Sequence, residues 1–263
     1  MSAKVIILGA GAAPGVPSLS LGWGNCAPDN PKNLRTRTST YVEIDGCRFL
    51  IDTDPNLREQ LIAGQIRTLD AVLYTHAHAD HVHGIDDLRE INRISRQSLN
   101  IYAGRQTLKY IRHNFGYLIA KPNQVKNVVR MPSLIPNQVK GNQPFYVGRV
   151  KITPIKLLQH CPECLGYVFN DGEYVHIADF KRIAESAFKM VTRRPKLLVM
   201  PLTTPYGQIQ HASLDEVLGY IKRFNPEQAV LNHLASESDY AEISAAVPEN
   251  VSVAYDGMTI NLN

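Results

Sequence analysis

The stretch that decides the fold is Thr75-His76-Ala77-His78-Ala79-Asp80-His81, in which three histidines and an aspartate fall within six residues. The apolar run before it, residues 69–74, predicts a buried strand that ends at this cluster. Imidazole nitrogens and carboxylate oxygens are ligands that suit zinc, manganese or iron. The stretch therefore predicts a metal site at the end of a strand.

The spacing within the stretch predicts two ions rather than one. Residues two apart on an extended segment point the same way, so His76 and His78 can reach the same ion. If the chain turns after Ala79, Asp80 and His81 can face a second ion nearby.

One strand end cannot complete two coordination shells, so the remaining ligands must come from elsewhere in the chain. Three candidates each follow a short apolar run, and they are His160, Asp179 and His233. In layered α/β folds, binding sites gather at the ends of strands. We therefore expect these side chains to join the first cluster.

The order His-x-His-x-Asp-His, followed by a distant His, Asp and His, resembles the metallo-β-lactamase superfamily. The resemblance runs from the strand ending at Asp52 to Tyr255-Asp256-Gly257-Met258. It is greatest to the phosphodiesterase branch, which holds the tRNA 3′-endonuclease and the phosphoribosyl 1,2-cyclic phosphodiesterase. The glycine-rich start, residues 8–17, is most similar to the latter group. The resemblance implies an α/β fold, a four-layer αββα sandwich, and strands and helices on both sides of residue 160 agree with it.

The resemblance also implies a role for each candidate residue around two divalent metal ions, Zn2+ or Mn2+. The implied ligands are His76, His78 and His160 for one ion, Asp80, His81 and His233 for the other, and Asp179 as a bridge. Asp80 is also expected to orient the attacking water that the ions activate. His211 is expected to protonate the leaving alkoxide, and Asp52 to accept the second N–H of a ligating histidine.

The bulk properties limit the partners and the compartment. A length of 263 residues without a Gly/Ser linker predicts one domain over residues 1–263. A net charge of +4 suits a small anionic phosphodiester and is too small for a nucleic-acid surface. We found no apolar run of about 18 residues and no signal-peptide pattern, so we expect a cytoplasmic protein without a membrane partner. A homodimer stays open.

Several elements can be predicted from turn and cap residues. Hairpins are expected about Asp45-Gly46 and Asp171-Gly172. Helices are expected at about Pro55–Ala63 with Asp54 as the cap, at about Ile183–Thr192, and at Leu214–Phe224 with Ser213 as the cap.

Four features do not follow the resembled pattern. His83 lies beside the ligand cluster, but we do not expect it to bind metal. Cys26 alone remains where the cyclic phosphodiesterase group carries several cysteines, so we predict that no structural zinc is held there. Cys161 and Cys164 are expected to be idle thiols, with a redox pair or half of a zinc site as alternatives. The segment 121–148 is expected to form a wall or flap that sets substrate selectivity.

The main hypothesis is a dinuclear metal-dependent hydrolase of a small phosphodiester, such as phosphoribosyl 1,2-cyclic phosphate. One alternative is a thioester or lactone hydrolase that uses the same metals. Another is an iron-dependent redox or cofactor-biosynthesis protein on the same fold.

Overall fold

Two β-sheets form the centre of the structure, a computed structural model that describes residues 3–120 and 133–262. The first sheet has seven strands and is mixed, with antiparallel pairing at one side and parallel pairing at the other. In spatial order, its strands are Met258–Leu262 (β15), Ala3–Gly9 (β1), Ser39–Ile44 (β2), Cys47–Ile51 (β3), Ala71–Leu73 (β4), Leu99–Ala103 (β5) and Leu134–Gln138 (β6).

The second sheet is also mixed, and its last four strands in spatial order are parallel to one another. Its strands are, in spatial order, Arg182–Ile183 (β11), Val150–Leu158 (β8), Cys164–Phe169 (β9), Tyr174–His176 (β10), Leu197–Pro201 (β12), Gln228–Asn232 (β13) and Val251–Val253 (β14). A further short strand, Phe145–Val147 (β7), pairs with β8.

Helices cover the outer face of each sheet. The helices are Leu57–Ala63 (α1), Ala79–Val82 (α2), Leu88–Ser95 (α3), Arg105–Asn114 (α4), Glu185–Phe188 (α5), Leu214–Phe224 (α6) and Tyr240–Ala246 (α7). One apolar cluster joins the two sheets, with Phe49 of the first sheet against Phe169 of the second. Two more clusters lie under the helices, one on each outer face. The predicted four-layer αββα sandwich is therefore confirmed.

Turn and cap chemistry place several elements where the sequence predicts them. Asp45 and Gly46 both have positive φ, 50° and 77°, which the tight turn between β2 and β3 requires. Ser213 caps α6 through a capping box, because its side chain accepts from the amide of Glu216 and the Glu216 carboxylate accepts from the amide of Ser213.

Two predicted helices were wrong in their bounds. The first helix begins at Leu57 rather than Pro55, because the Asp54 side chain accepts from the Asn56 amide and holds a turn there instead of capping a helix. The helix predicted at about 183–192 is only the single turn α5. Ile183 instead belongs to β11, which pairs with the end of β8, so strand pairing overrides the local helical pattern.

Part of the segment predicted to form a flap is strand. Residues 134–138 and 145–147 form β6 and β7, and residues 121–132 lie outside the described residues. None of the helices within residues 3–120 and 133–262 has the length and apolarity that crossing a membrane demands.

Asp54 gives the fold a testable pH dependence. Its carboxyl is buried, its Oδ2 has no hydrogen-bond partner among the described residues, and burial raises its pKa to about 7. Between pH 4 and 7 the unfolded chain releases this proton while the folded chain keeps it, so rising pH lowers the free energy of unfolding. Replacing Asp54 with Asn removes this loss. From pH 4 to 8, the free energy of unfolding of the variant should therefore rise relative to that of the wild type by about 4 kcal/mol at most.

Urea unfolding of the metal-free protein at several pH values measures this difference. Asp29→Asn, at an exposed position, is the matched control and should track the wild type. A constant gap between Asp54→Asn and the wild type from pH 4 to 8 would contradict the prediction.

Candidate metal centre

The predicted ligands all follow strands, and the strands come from both sheets. Four of them follow β4, and single residues follow β8, β10 and β13: the set is His76, His78, Asp80, His81, His160, Asp179 and His233. The chain turns after Ala79 as predicted, because α2 begins there. The two sheets therefore deliver their ligands at the same edge of the sandwich.

Two site residues that directly follow strands, Asp52 and His233, have a left-handed backbone. Asp52, directly after β3, has a φ of 62°, and His233, directly after β13, has a φ of 58°. Non-glycine residues rarely adopt this conformation, and strain of this kind concentrates at functional sites. Here it turns the side chains of both residues into the cluster, where they contact other site residues.

The loop that carries the first four ligands is fixed by the loop after β3. The amide of Thr53 donates to the carbonyl of His81 at 2.8 Å, and the amide of Gly84 donates to the carbonyl of Thr53 at 2.9 Å. A Cβ at Gly84 would lie 2.0 Å from the carbonyl oxygen of Asp54. Only glycine allows the two loops to approach this closely.

Asp179 lies at the centre of the cluster. Its Oδ2 is within 4 Å of the Nε2 atoms of four histidines from three strand ends. The distances are 3.9 Å to His76, 3.4 Å to His81, 3.6 Å to His160 and 3.3 Å to His233. The structure therefore brings the distant candidates together around one carboxylate.

The other ring nitrogen of each of these four histidines already has a partner. Nδ1 of His76 lies 3.0 Å from Thr75 Oγ1, and Nδ1 of His81 lies 2.7 Å from Asp52 Oδ2. Nδ1 of His160 lies 3.3 Å from the carbonyl oxygen of Gln210, and Nδ1 of His233 lies 3.2 Å from Thr203 Oγ1. These contacts leave each Nε2 directed at the cluster. Ligating histidines are held in this way.

Asp52 takes the predicted supporting position, but Thr75 and Thr203 were missed. Thr75 is adjacent to the motif, so its position beside His76 was a usable signal. Thr203 lies 30 residues from His233, and only the parallel pairing of β12 with β13 brings them together.

The cluster has the properties of a cation site. The Nε2 atoms of His76 and His81 and the Oδ1 of Asp179 are buried without hydrogen-bond partners among the described residues. Burial alone would raise the pKa of the Asp179 carboxyl, but the rings of His233 and His81 outweigh it and hold that pKa well below its usual value. A buried anion of this kind needs positive charge beside it, and a divalent cation can supply it.

The ring of His81 also indicates that a positive charge is needed beside these carboxylates. Burial alone would lower the pKa of its ring, but the carboxylates of Asp80 and Asp52 outweigh it and raise that pKa well above the usual value. Asp80 Oδ2 lies 3.3 Å from His81 Nε2. A bound cation would take the place of the proton at this nitrogen, since a ligating imidazole is neutral.

The donor atoms fall into two main groups. One group is Asp80, His81, Asp179 and His233, and the other is His76, His78, His160 and Cys161; within each group the donor atoms lie within 4.8 Å of one another. His160 and Asp179 also form a group with His211. The predicted division of ligands between two ions is thus compatible with the structure. Cys161, for which the sequence favoured an idle thiol with half of a zinc site as an alternative, lies in the group of His76, His78 and His160.

His211 lies beside the cluster, as expected from the resemblance. Its ring centroid is 4.8 Å from that of His160, and its Nδ1 lies 3.0 Å from Thr203 Oγ1. Burial lowers the pKa of the ring to about 4. His83, in contrast, is exposed, its Nε2 lies 2.7 Å from the hydroxyl of Tyr110, and it belongs to none of the donor groups in the described part of the chain.

The irregular segment after the glycine-rich loop is fastened by hydrogen bonds around Cys26. Arg35 is buried and donates to the carbonyl of Ser238 at 2.8 Å and to Asn33 Oδ1 at 3.0 Å, and its Nη1 lies 3.9 Å from Cys26 Sγ. Asn33 in turn donates to Asp239 Oδ2 at 2.7 Å. Hydrogen bonds between protein groups therefore fix this segment. The absence of a structural zinc stays a prediction.

Comparison with known proteins identifies the family. A sequence model described as "Beta-lactamase superfamily domain" matches residues 47–234, which include all seven predicted ligands. The chain belongs to the metallo-β-lactamase superfamily. A crystal structure of a diphosphatase from the PhnP family is similar to it, with a TM-score of 0.87 and 26% identity over 99% of this chain and 97% of that one. The predicted likeness to the phosphodiesterase branch is confirmed.

Two curated relatives carry other names. An octanoyltransferase of Porphyromonas gingivalis is 31% identical over 257 residues, which is 97% of this chain and 51% of the relative. A coenzyme PQQ synthesis protein B of Rhodopseudomonas palustris is 31% identical over 156 residues, covering 54% of this chain and 46% of the relative. The chain thus spans about half the length of these relatives.

The hydrogen bond between Asp52 and His81 gives a test of the centre. Replacing Asp52 with Asn retains the shape and tolerates the left-handed backbone, but it removes the charged acceptor of the His81 Nδ1 proton. We expect zinc affinity to fall about 10–100-fold, as is typical when such a support is lost. Competition with a chromophoric chelator measures the affinity.

Asp171→Asn is the matched control, because this carboxylate pairs with Lys151 away from the cluster. It should bind zinc like the wild type. Unchanged zinc affinity in Asp52→Asn would show that the contact does not support a ligand.

Proposed function

We propose that this protein is a dinuclear metal-dependent hydrolase that cleaves a P–O bond in a small phosphodiester. A cyclic phosphate such as phosphoribosyl 1,2-cyclic phosphate is the favoured substrate. The observation that carries the proposal is the position of Asp179, whose Oδ2 faces four imidazole nitrogens from both donor groups. A carboxylate placed in this way can bridge two cations. The likeness to a diphosphatase supports phosphorus chemistry.

Seven side chains would hold the two ions, Zn2+ or Mn2+. The assignment is His76, His78 and His160 for the first ion, Asp80, His81 and His233 for the second, and Asp179 for both. When bound, such a pair lowers the pKa of water and neutralises charge that develops on a phosphoryl group. The chain contributes preorganisation, because the second nitrogen of four of these rings is already held.

Asp80 has a further role in the proposal. Its Oδ2 lies 3.3 Å from His81 Nε2 and 3.4 Å from His233 Nε2, which directs this oxygen to the second ion. Its Oδ1 can then accept a hydrogen bond from the attacking water. Burial alone would raise the pKa of this carboxyl, but His81 and His233 outweigh it and keep the pKa well below the usual value. Asp80 thus stays ionised and able to accept.

Thr203 determines which nitrogen of His211 carries the proton. If an ion is held at Nε2 of His233, the ring proton lies on Nδ1, which then donates to Thr203 Oγ1. The Thr203 hydroxyl then donates to Nδ1 of His211, which leaves the His211 proton on Nε2. An anionic phosphodiester opposite the ring favours its protonated form. His211 can therefore bind the phosphoryl group and transfer a proton to the leaving alkoxide.

The partner in this proposal is a small molecule. The net charge of +4 is modest, and the basic residues of the segment after the glycine-rich loop are engaged within the protein. Lys32 donates to the hydroxyl of Tyr240, Arg35 to the Ser238 carbonyl and Arg37 to the Ala13 carbonyl. These contacts support a small-molecule substrate rather than a nucleic acid. A homodimer and a cytoplasmic location stay predictions.

Two other functions have an observation in their favour. A thioester or lactone hydrolase on the same metals is supported by the likeness to an octanoyltransferase. An iron-dependent redox or cofactor-biosynthesis protein is supported by the likeness to a PQQ synthesis protein and by the thiol of Cys161 beside the donors.

A substrate panel separates these functions. The zinc- or manganese-loaded protein is assayed with bis(p-nitrophenyl) phosphate, a five-membered cyclic phosphate, a dinucleoside diphosphate and an acyl thioester. We expect kcat/KM for the best phosphodiester to exceed that for the thioester by about 100-fold or more, because the site is built to neutralise phosphoryl charge. A preference for the thioester would reject the proposal, and a preference for the diphosphate would move the substrate to phosphoanhydrides.

Replacement of His211 with Ala tests the proton donor. We expect kcat to fall about 10²–10⁴-fold while both metals stay bound. The loss should be larger for a substrate with an alkoxide leaving group than for one that releases p-nitrophenolate, since the latter needs less protonation. Elemental analysis and steady-state kinetics measure the two effects.

His83→Ala is the control for this variant, because His83 is exposed and pairs with Tyr110 rather than with the cluster. It should have wild-type kcat. Loss of both metals in His211→Ala would instead make His211 part of the metal shell.

A further inference from the structure

Cys161 lies among the donors of the first ion. Its Sγ is within 4.8 Å of the donor atoms of His76, His78 and His160, and these atoms are equally close to one another. The site is open on one side, since His78 is exposed and Cys161 is half-buried, whereas His76 and His160 are buried. Atoms that bind one zinc ion at 2.0–2.3 Å lie at most about 4.6 Å apart. The four side chains would therefore need to approach one another only slightly for all four donor atoms to reach one ion.

One buried nitrogen of this group has no hydrogen-bond partner among the described residues, and another faces a second imidazole nitrogen. His76 Nε2 is fully buried and has no hydrogen-bond partner among the described residues. His160 Nε2 lies 3.1 Å from His78 Nδ1, so a nitrogen of one imidazole faces a nitrogen of the other. Two imidazole nitrogens in this position can bind a shared cation in place of the hydrogen bond between them.

The loop that carries Cys161 is fixed from both sides. The carboxylate of Glu163 accepts from the amides of Arg105, Gln106 and Thr107 at the start of α4. Cys164 Sγ donates to the carbonyl of Asp179 at 3.2 Å and is buried. The Cys161 thiol contacts the Glu163 carbonyl at 3.2 Å and the neighbouring thiol of Cys164, and neither contact blocks its approach to an ion. The thiol is thus held beside the histidines while its lone pairs stay available.

We propose that Cys161 Sγ is a further donor to the ion held by His76, His78 and His160, beside the bridging Asp179, and that it makes this position selective for a thiophilic ion such as zinc over manganese. The inference rests on the metal centre proposed above. On binding, the S–H bond breaks, the thiol proton passes to solvent and the sulfur lone pair is donated to the ion. Thiolate favours zinc, whereas manganese prefers carboxylate and water.

The proposal makes the two positions chemically different. Besides the bridging Asp179, the first has three imidazoles and a thiolate, whereas the second has the imidazoles of His81 and His233 and the carboxylate of Asp80. A soft donor at one position and oxygen donors at the other predict that zinc fills the first before the second. Manganese should show no such preference.

Reconstitution with cobalt tests the proposal directly. The metal-stripped full chain is titrated with Co2+ under reducing, oxygen-free conditions while absorption is recorded. The wild type should show visible ligand-field bands and, with the first equivalent, a near-ultraviolet thiolate-to-cobalt charge-transfer band. Cys161→Ser and Cys161→Ala should lose the charge-transfer band and keep the ligand-field bands. They should also bind the first zinc about tenfold or more weakly, with manganese affinity changed less than about twofold.

Two cysteine variants serve as controls, and both should retain the band. Cys164→Ser alters the other thiol of the same loop, and Cys47→Ser alters a thiol in β3 that contacts the carbonyl of Val147. Cobalt bound with ligand-field bands but no charge-transfer band in the wild type, or a band that persists in both Cys161 variants, overturns the role of Cys161 alone. No cobalt bound by the wild type at all would overturn the metal centre itself.

Discussion

The structure depends on one buried carboxylate. Asp179 is enclosed by four imidazole rings from three strand ends, and its Oδ1 has no hydrogen-bond partner among the described residues. An anion that leaves water must be compensated, and incomplete compensation costs several kcal/mol. The polar groups around it form a network whose members all turn towards the cluster. The sandwich can therefore be regarded as a scaffold that brings positive charge to this position.

The two sheets solve the placement problem in different ways. The first sheet provides a continuous ligand loop after β4, which two hydrogen bonds and the close approach at Gly84 fix against its neighbour. The second sheet provides one residue from each of three strands, and the left-handed backbone at His233 turns its ring inward. A short motif is thus positioned by hydrogen bonds to a neighbouring loop. Scattered ligands are positioned by strand register, which the parallel pairing of β12 with β13 fixes.

The strand ends and the candidate ligands could be predicted because both are encoded locally, whereas the layered fold was implied by the family resemblance. Strand ends, the turn of Asp45 and Gly46 and the cap at Ser213 each depend on a few adjacent residues. Apart from Thr75, which adjoins the motif, what was missed depends on contacts between distant residues. Ile183 became strand through pairing with β8, Thr203 reached His233 only through sheet register, and Cys161 became a neighbour of three histidines only when β4 and β8 ended at the same place. No periodicity or spacing reports such contacts.

Thr203 has a consequence for regulation by metal content. Its single hydroxyl lies between His233 and His211 and has one proton to give. While a cation holds Nε2 of His233, the direction of the two hydrogen bonds is fixed. Once that ion leaves, the ring of His233 can exchange its proton between its nitrogens, and the hydroxyl is free to rotate the other way. In the proposed mechanism, the protonation state of His211 would then depend on whether the neighbouring ion is bound, and loss of that ion would also inactivate the proton donor.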